Sequence, residues 1–411
     1  MERRNTFIIF FVKRTWFLAV LVALLGMVIG GMSCSSGGSG SKSASCTTNA
    51  QCLNGQVCTN GSCVASTSCT TDAQCLNGQV CQNGSCVTNN TSSCTSNAQC
   101  SSGQVCQSGK CVAQNTYAVG TNPDRIAIDA SGNVWVTNWN NSGTVTELNS
   151  SGTTIGTYAV GSGPYEIAID ASGNVWVANG NSSTVTELNS SGTAIGTYAV
   201  GLAPVGIAID ASGNVWVTNS NNSGTVTKLN SSGTTIGTYA VGSNPNAIAI
   251  DASGNVWVAN WGSNNVTELN SSGTTIGTYA IGLGPTGIAI DSSGNVWVGN
   301  GGSSGSGNTV TKLNSSGTTI GTYAVGSRPA KIAIDASGNV WVANSYSNTV
   351  TELNSSGTTI GTYAVGLGPV GIAIDSFGNV WVANDSSNNV TKIVGITTGP
   401  QYWPYTGPQW P

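Results

Sequence analysis

The side chains able to do chemistry in this chain are carboxylates, cations and aromatic rings, because its 411 residues include no histidine. That removes the commonest general base, proton shuttle and zinc ligand together. The remaining candidates gather in two kinds of short, variable segment. Before a recurrent Ile-Ala-Ile the chain reads NPDR, GPYE, APVG, NPNA, GPTG, RPAK and GPVG, which supply Asp124, Arg125, Tyr165, Glu166, Asn246, Arg328 and Lys331. After a recurrent V-W-V-x-N it supplies Trp139, Trp261, Tyr346 and Asp385. Exposed Trp and Tyr rings beside Arg, Lys and Glu are the chemistry of ligand recognition, in which rings stack and charges orient. A binding site is therefore expected from Arg125, Trp139, Tyr165, Glu166, Trp261, Arg328, Lys331, Tyr346 and Asp385. No catalytic residues, metal ligands or cofactor are expected. Calcium or magnesium is the alternative.

These residues can act together only if the chain folds them onto one surface, and its repeats do so. The phrase IAIDASGNVWVAN stands at 167–179, 248–260 and 332–344, and near-copies begin at Ile126, Ile207, Ile288 and Ile372. A second marker, TYAVG or TYAIG, starts at Thr116, Thr157, Thr197, Thr238, Thr278, Thr322 and Thr362, in steps of 40 to 44 residues. In the second copy four short strand-like runs fit one period: 167–170, 175–177, 184–188 and 197–200. Each is β-branched or aromatic, and Gly, Ser or Asn bound it. Four strands per forty residues, repeated in tandem, imply an all-β fold, a seven-bladed β-propeller. The chain enters on a TYAVG at 116–120 and leaves after 390–394 without another, so the N-terminal strand is expected to complete the last blade. Such closure removes an exposed sheet edge.

Within the phrase, sevenfold identity reads as scaffold. The Trp of each V-W-V, from Trp135 to Trp381, is expected to fill the gap between blades. The Asp after each I-A-I, from Asp129 to Asp375, precedes a tight S-G-N turn whose N–H groups its carboxylate can accept. The Asn closing each phrase, such as Asn138 and Asn260, is expected to cap a loop. Both variable segments belong to loop types that share one face of a propeller, so the candidate residues should converge at the ring mouth. The long segment from Gly301, GGSSGSGNT, reads as an insertion.

The N-terminus reads as an address. Arg3, Arg4, Lys13 and Arg14 flank an apolar run that ends at Cys34, and the pattern resembles a bacterial lipoprotein signal with Cys34 as the lipidated residue. A retained transmembrane anchor or plain cleavage are the alternatives. The chain beyond is thus expected in the bacterial cell envelope, outside the cytoplasm. Loss of 1–33 removes four basic side chains and Glu2, taking the net charge from −4 to −7. With no basic patch, nucleic acid is excluded as a partner. After a tether at 34–45, twelve cysteines form three groups spaced C-x5-C-x5-C-x4-C: Cys46, Cys52, Cys58, Cys63; Cys69, Cys75, Cys81, Cys86; and Cys94, Cys100, Cys106, Cys111. Segments this short need crosslinks in place of a core, so disulfides are expected, with the pairing open. Residues 46–111 resemble the cysteine-rich module named after the Dickkopf N-terminal region and are expected to form a stalk. The propeller is bounded at 116–395. A tail at 396–411, with Tyr402, Trp403, Tyr405 and Trp410, is expected to cover the closing blade or the channel.

The phrase P-x-x-I-A-I-D-A-S-G-N-V-W-V-A-N over about 116–395 resembles the NHL-type repeat and, more closely, the streptogramin B lyase (virginiamycin B lyase) family. That resemblance implies a seven-bladed propeller and a histidine base with magnesium held by glutamates at the ring mouth. This chain lacks histidine and offers only Glu166 there, so the activity is not carried over. Lactonase-type propellers hold one metal with Glu, Asn and Asp, which Glu166, Asp124 and Asp385 could imitate. The leading expectation is a non-catalytic, monomeric envelope lipoprotein that displays a face to a glycan, small ligand or extracellular protein. A metal-dependent lyase or hydrolase is the alternative.

Overall fold

The computed structural model describes residues 110–394 except 141–142, 223 and 303–306, together with short segments between 56 and 107. The signal, Cys34, the tether, most of the cysteine modules' side chains and the aromatic tail lie outside the described residues. Among the described residues no helix is long and apolar enough to cross a membrane.

Six antiparallel four-stranded sheets and one five-stranded sheet are arranged around an axis. In blade two the strands are Pro164–Ile169, Val175–Asn179, Thr184–Leu188 and Ala194–Ala199. The first strands of neighbouring blades touch, blade seven to blade one included, so they line the axis and the ring is closed. Second strands are wholly buried. Outer strands, T-I-G-T-Y-A or its variant, alternate exposed and half-buried residues, as a sheet with one wet side requires. Blade seven takes its outer strand from the N-terminal side, where Asn389–Ile393 pairs with Lys110–Ala118 in the register Val390↔Tyr117. The expected closure is thus present.

The same strand does a second job. Its first residues pair with Gln104–Gln107 in the hairpin of the third cysteine group, with Cys106 opposite Cys111. Cys111 is bonded not to that neighbour but to Cys100, across a Cα–Cα distance of 5.4 Å. Cys94 is also disulfide-bonded. The third group is therefore built onto the edge of blade seven, and Gln114 Nε2 donates to the Ala364 carbonyl of blade six (2.6 Å). The first two groups contain corresponding hairpins, with Cys58 opposite Cys63 and Cys81 opposite Cys86.

Each Trp of V-W-V is inaccessible to solvent and packs against the next blade. Trp135 lies with Ile167, Val175 and Val177, and the outer-strand Tyr158 stacks on it at 5.5 Å. Such a ring pair adds roughly 0.5–1.5 kcal/mol to area burial. The preceding Asp both closes the turn and holds the indole. Asp129 accepts from the Ser131 and Asn133 N–H groups through Oδ1, and from Trp135 Nε1 at 3.1 Å through Oδ2. All seven blades repeat that indole bond, at 2.9 to 3.1 Å. The Asn closing the phrase differs from expectation. It is not a loop cap but a fully buried latch between strands: Asn179 Nδ2 donates to Thr184 Oγ1 and Thr186 Oγ1. The Oδ1 of this Asn has no hydrogen-bond partner among the described residues in any of the seven blades.

Candidate functional site

Every inner strand starts at a proline, whose fixed φ and missing N–H suit the first position of a strand. The residues that follow it stand at one end of the ring axis, and blades one, two and six place charges there. Lys331 of blade six reaches across the ring to Glu166 of blade two, Nζ to Oε2, at 2.5 Å. Arg125 Nε of blade one lies 3.7 Å from the same oxygen. Arg125 also pairs with Asp124, donates to the Val370 carbonyl of blade seven at 3.1 Å, and lies 4.7 Å over the Tyr165 ring. Four blades are thereby tied across the axis.

This cluster corrects one expectation. Arg125 and Glu166 are not exposed at the mouth; each is 5% accessible, and they form a floor beneath it. Burial of charge is costly unless it is paired. Arg125 stays charged because Asp124, Tyr165 and Glu166 outweigh the penalty of burial. Asp124 shares that one guanidinium with Glu166. Burial, only partly offset by Arg125 and reinforced by Glu166 and Asp385, pushes its carboxyl up to about 6. Burial likewise raises the Tyr165 phenol.

Above the floor is an open cavity of about 510 Å³. Arg125, Trp139, Tyr165, Trp261, Arg328, Tyr346 and Asp385 all line it. These residues come from blades one, two, four, six and seven, so the ring closes separated loops onto one cup. Trp139 and Tyr346 are 46% and 58% exposed, and the Arg328 guanidinium lies 4.8 Å over the Tyr346 ring. Glu166 and Lys331 do not line the cup; their charges are spent on each other below it. Sequence reasoning passed over Ser345 and Thr286, which also line the cup. Ser345 Oγ donates to the Arg328 carbonyl (3.2 Å), and Thr286 Oγ1 donates to the Pro329 carbonyl (2.5 Å). Their positions in the variable loops were the only signal available.

Could the site hold a metal? Calcium and magnesium need several free oxygens. Two of the three nearby carboxylates, Asp124 and Glu166, already face cations. Among the described residues the cysteine and acidic side chains close enough to share an ion are Cys94, Cys100 and Cys111, whose sulfurs are in disulfides. What the cup offers is exposed aromatic faces, the Arg328 guanidinium and the Asp385 carboxylate, with Arg125 and Asp124 paired to each other at its floor.

Comparison with solved structures gives the same architecture. A streptogramin B lyase superposes with a TM-score of 0.60 at 19% identity, over 68% of this chain and 96% of that one. A catalytically inactive virginiamycin B lyase from Staphylococcus aureus with quinupristin gives 0.61 at 20% identity, over 69% and 100%. Hydrazine synthase from Kuenenia stuttgartiensis gives 0.62 at 19% identity, over 68% and 97%. At these identities the likeness is one of fold. No curated protein sequence matches. The family profile of virginiamycin B lyases matches residues 83–306, more than half of the chain, from the second cysteine group into blade five. By sequence and by architecture, this chain belongs to the virginiamycin B lyase family.

Proposed function

We propose that this protein is a non-catalytic binding protein of the cell envelope, whose propeller presents its cup to a glycan. The observation that carries the reading is the composition of the cup: Trp139, Trp261 and Tyr346 around about 510 Å³, with charged groups at the floor and wall. Flat rings take sugar faces, and a few placed polar groups fix orientation. Family membership would suggest a lyase, but a chain without histidine lacks the base which the resemblance implies. Glu166, the glutamate available near the mouth, is engaged by Lys331 and Arg125. The export reading rests on the basic-then-apolar leader, Cys34 and the disulfides. In this reading a lipid on Cys34 holds the protein to the membrane and the cysteine groups act as a spacer.

The test is titration of the purified protein with a panel of short oligosaccharides, followed by tryptophan fluorescence and calorimetry. Trp139→Ala combined with Trp261→Ala should weaken binding at least tenfold, the scale of losing one or two stacking anchors at roughly 1–3 kcal/mol each. Unchanged affinity in that variant would move the ligand to another face. Calcium and magnesium titrated alone should give no heat of binding. A stoichiometric micromolar site would favour the lyase or hydrolase reading instead.

A further inference from the structure

We propose that Arg328 makes the cup selective for acidic sugars, receiving a ligand carboxylate while the sugar ring lies against the neighbouring aromatic faces. The inference rests on the glycan-binding reading above. Its origin is a backbone anomaly. The residue before the inner-strand proline is left-handed in all seven blades: Asn122 (φ 52°), Gly163 (63°), Ala203 (52°), Asn244 (48°), Gly284 (57°), Arg328 (53°) and Gly368 (65°). Five of the seven are Gly or Asn, the residues that adopt this conformation readily. A long β-substituted side chain is disfavoured there, yet blade six carries an arginine. Strain held at a ligand-facing position is a pointer to function.

The surroundings of Arg328 agree. Its backbone is fixed: Arg328 N donates to the Gly307 carbonyl (2.7 Å), and its own carbonyl accepts from Ser345 N (2.9 Å) and Ser345 Oγ (3.2 Å). Its guanidinium is held over Tyr346 on the cup wall. Two arginines line this cup. Arg125 is consumed by Asp124, whereas Arg328 has no carboxylate within salt-bridge distance among the described residues. A planar guanidinium backed by a ring suits a carboxylate, which it can meet with two parallel N–H bonds. Asp385, on the blade-seven side of the cup, repels an anion and so directs the carboxylate toward blade six.

The experiment compares matched probes, short oligomers of glucuronic acid and of glucose, titrated into the full protein and into Arg328→Gly. Glycine occupies the same position in blades two, five and seven, so this variant removes the guanidinium and relieves the backbone without threatening the fold. The parent should prefer the acidic probe by tenfold or more, with the preference shrinking as salt is raised. Arg328→Gly should lose that preference while melting at the same temperature or higher. If both probes bind the parent equally, or if Arg328→Gly keeps the preference, the inference about Arg328 fails while the glycan reading stands. If neither probe binds the parent, both fall together.

Discussion

Lys228, Lys312 and Lys392 stand where four other blades carry Glu147, Glu187, Glu268 and Glu352. The same pocket is wired in two ways. In the acidic blades the carboxylate accepts from the outer-strand tyrosine, as from Tyr198 to Glu187 at 2.8 Å, and from the turn asparagine, Asn174, at 3.1 Å. In the basic blades the ammonium lies over the blade's own Trp, 4.5 Å from the ring of Trp216, and donates to the next blade's turn at the Ser271 carbonyl (2.9 Å). The turn asparagine then gives its amide to Asp210 alone. Because the tyrosine keeps its register in blade three, Val226↔Tyr239, Lys228→Glu should convert one wiring into the other. Lys228 is buried and also pairs with Asp210 at 3.6 Å, so thermal melting should register the loss of a buried pair partly offset by the new tyrosine bond, a net cost of about 1–3 kcal/mol. Trp257→Phe is the contrasting variant. It removes the indole donor from Asp251 inside the sealed core, and should cost about 2 kcal/mol or more. The Trp–Asp partnership was half legible: the spacing gave a turn-closing Asp and a packing Trp, but not the bond that joins them. The buried Asn latch was not legible, because an Asn beside a loop reads as a cap and its Thr partners lie on another strand.

At the scale of elements, the strand Lys110–Ala118 is where two parts of the chain become one. Its second half is the outer strand of blade seven and its first half is the last strand of a disulfide hairpin. The Cys100–Cys111 bond closes a short loop, with a sequence separation of 11, directly ahead of the closing residues. Crosslinking such a loop is worth roughly 3 kcal/mol in the chain-entropy account. Here the gain passes into the propeller, because fraying of this strand opens the ring. Cys100→Ser with Cys111→Ser should lower the propeller's Tm by roughly 5 °C. Deletion of 46–88, which carries the first two cysteine groups, should leave that Tm unchanged. An unchanged Tm in the Cys100→Ser, Cys111→Ser variant would show that the hairpin and the blade are uncoupled. The orphan TYAVG at 116–120 made the closure itself legible from the repeat count. It could not show that the third cysteine group shares the strand, since spacing alone does not say which cysteine faces which strand.

For the molecule as a whole, the ring gathers charge from blades far apart in sequence, and this sets its response to pH. Asp124, Arg125, Glu166 and Lys331 meet at the axis although 165 residues separate Glu166 from Lys331. Period and composition placed these residues on one face. They carried no distances across the ring, so the division into a paired floor and an open cup emerged only from the closed structure. The floor leaves Asp124 with a folded pKa of about 6 against an ordinary 3.8. An acid raised on folding contributes stability that is complete below its unfolded pKa and lost as pH rises through the folded one. Burial also raises Glu147, Glu187, Glu268 and Glu352, against the hydrogen bonds from their tyrosines, which adds in the same direction. Asp210 and Asp291 run the other way. Against the opposing effect of burial, hydrogen bonds from Trp and Asn and the neighbouring lysines hold them low, so their contribution is lost only as pH falls below the ordinary carboxylate range. Stability should therefore peak near pH 4–5 and decline toward pH 7, with Asp124 alone accounting for about 2 kcal/mol of the fall. Differential scanning calorimetry from pH 4 to 8 reads this directly. Asp124→Asn should flatten the decline between pH 5 and 7 while leaving the acid limb unchanged. A parent profile already flat over that interval would mean that Arg125 fully compensates the burial of Asp124.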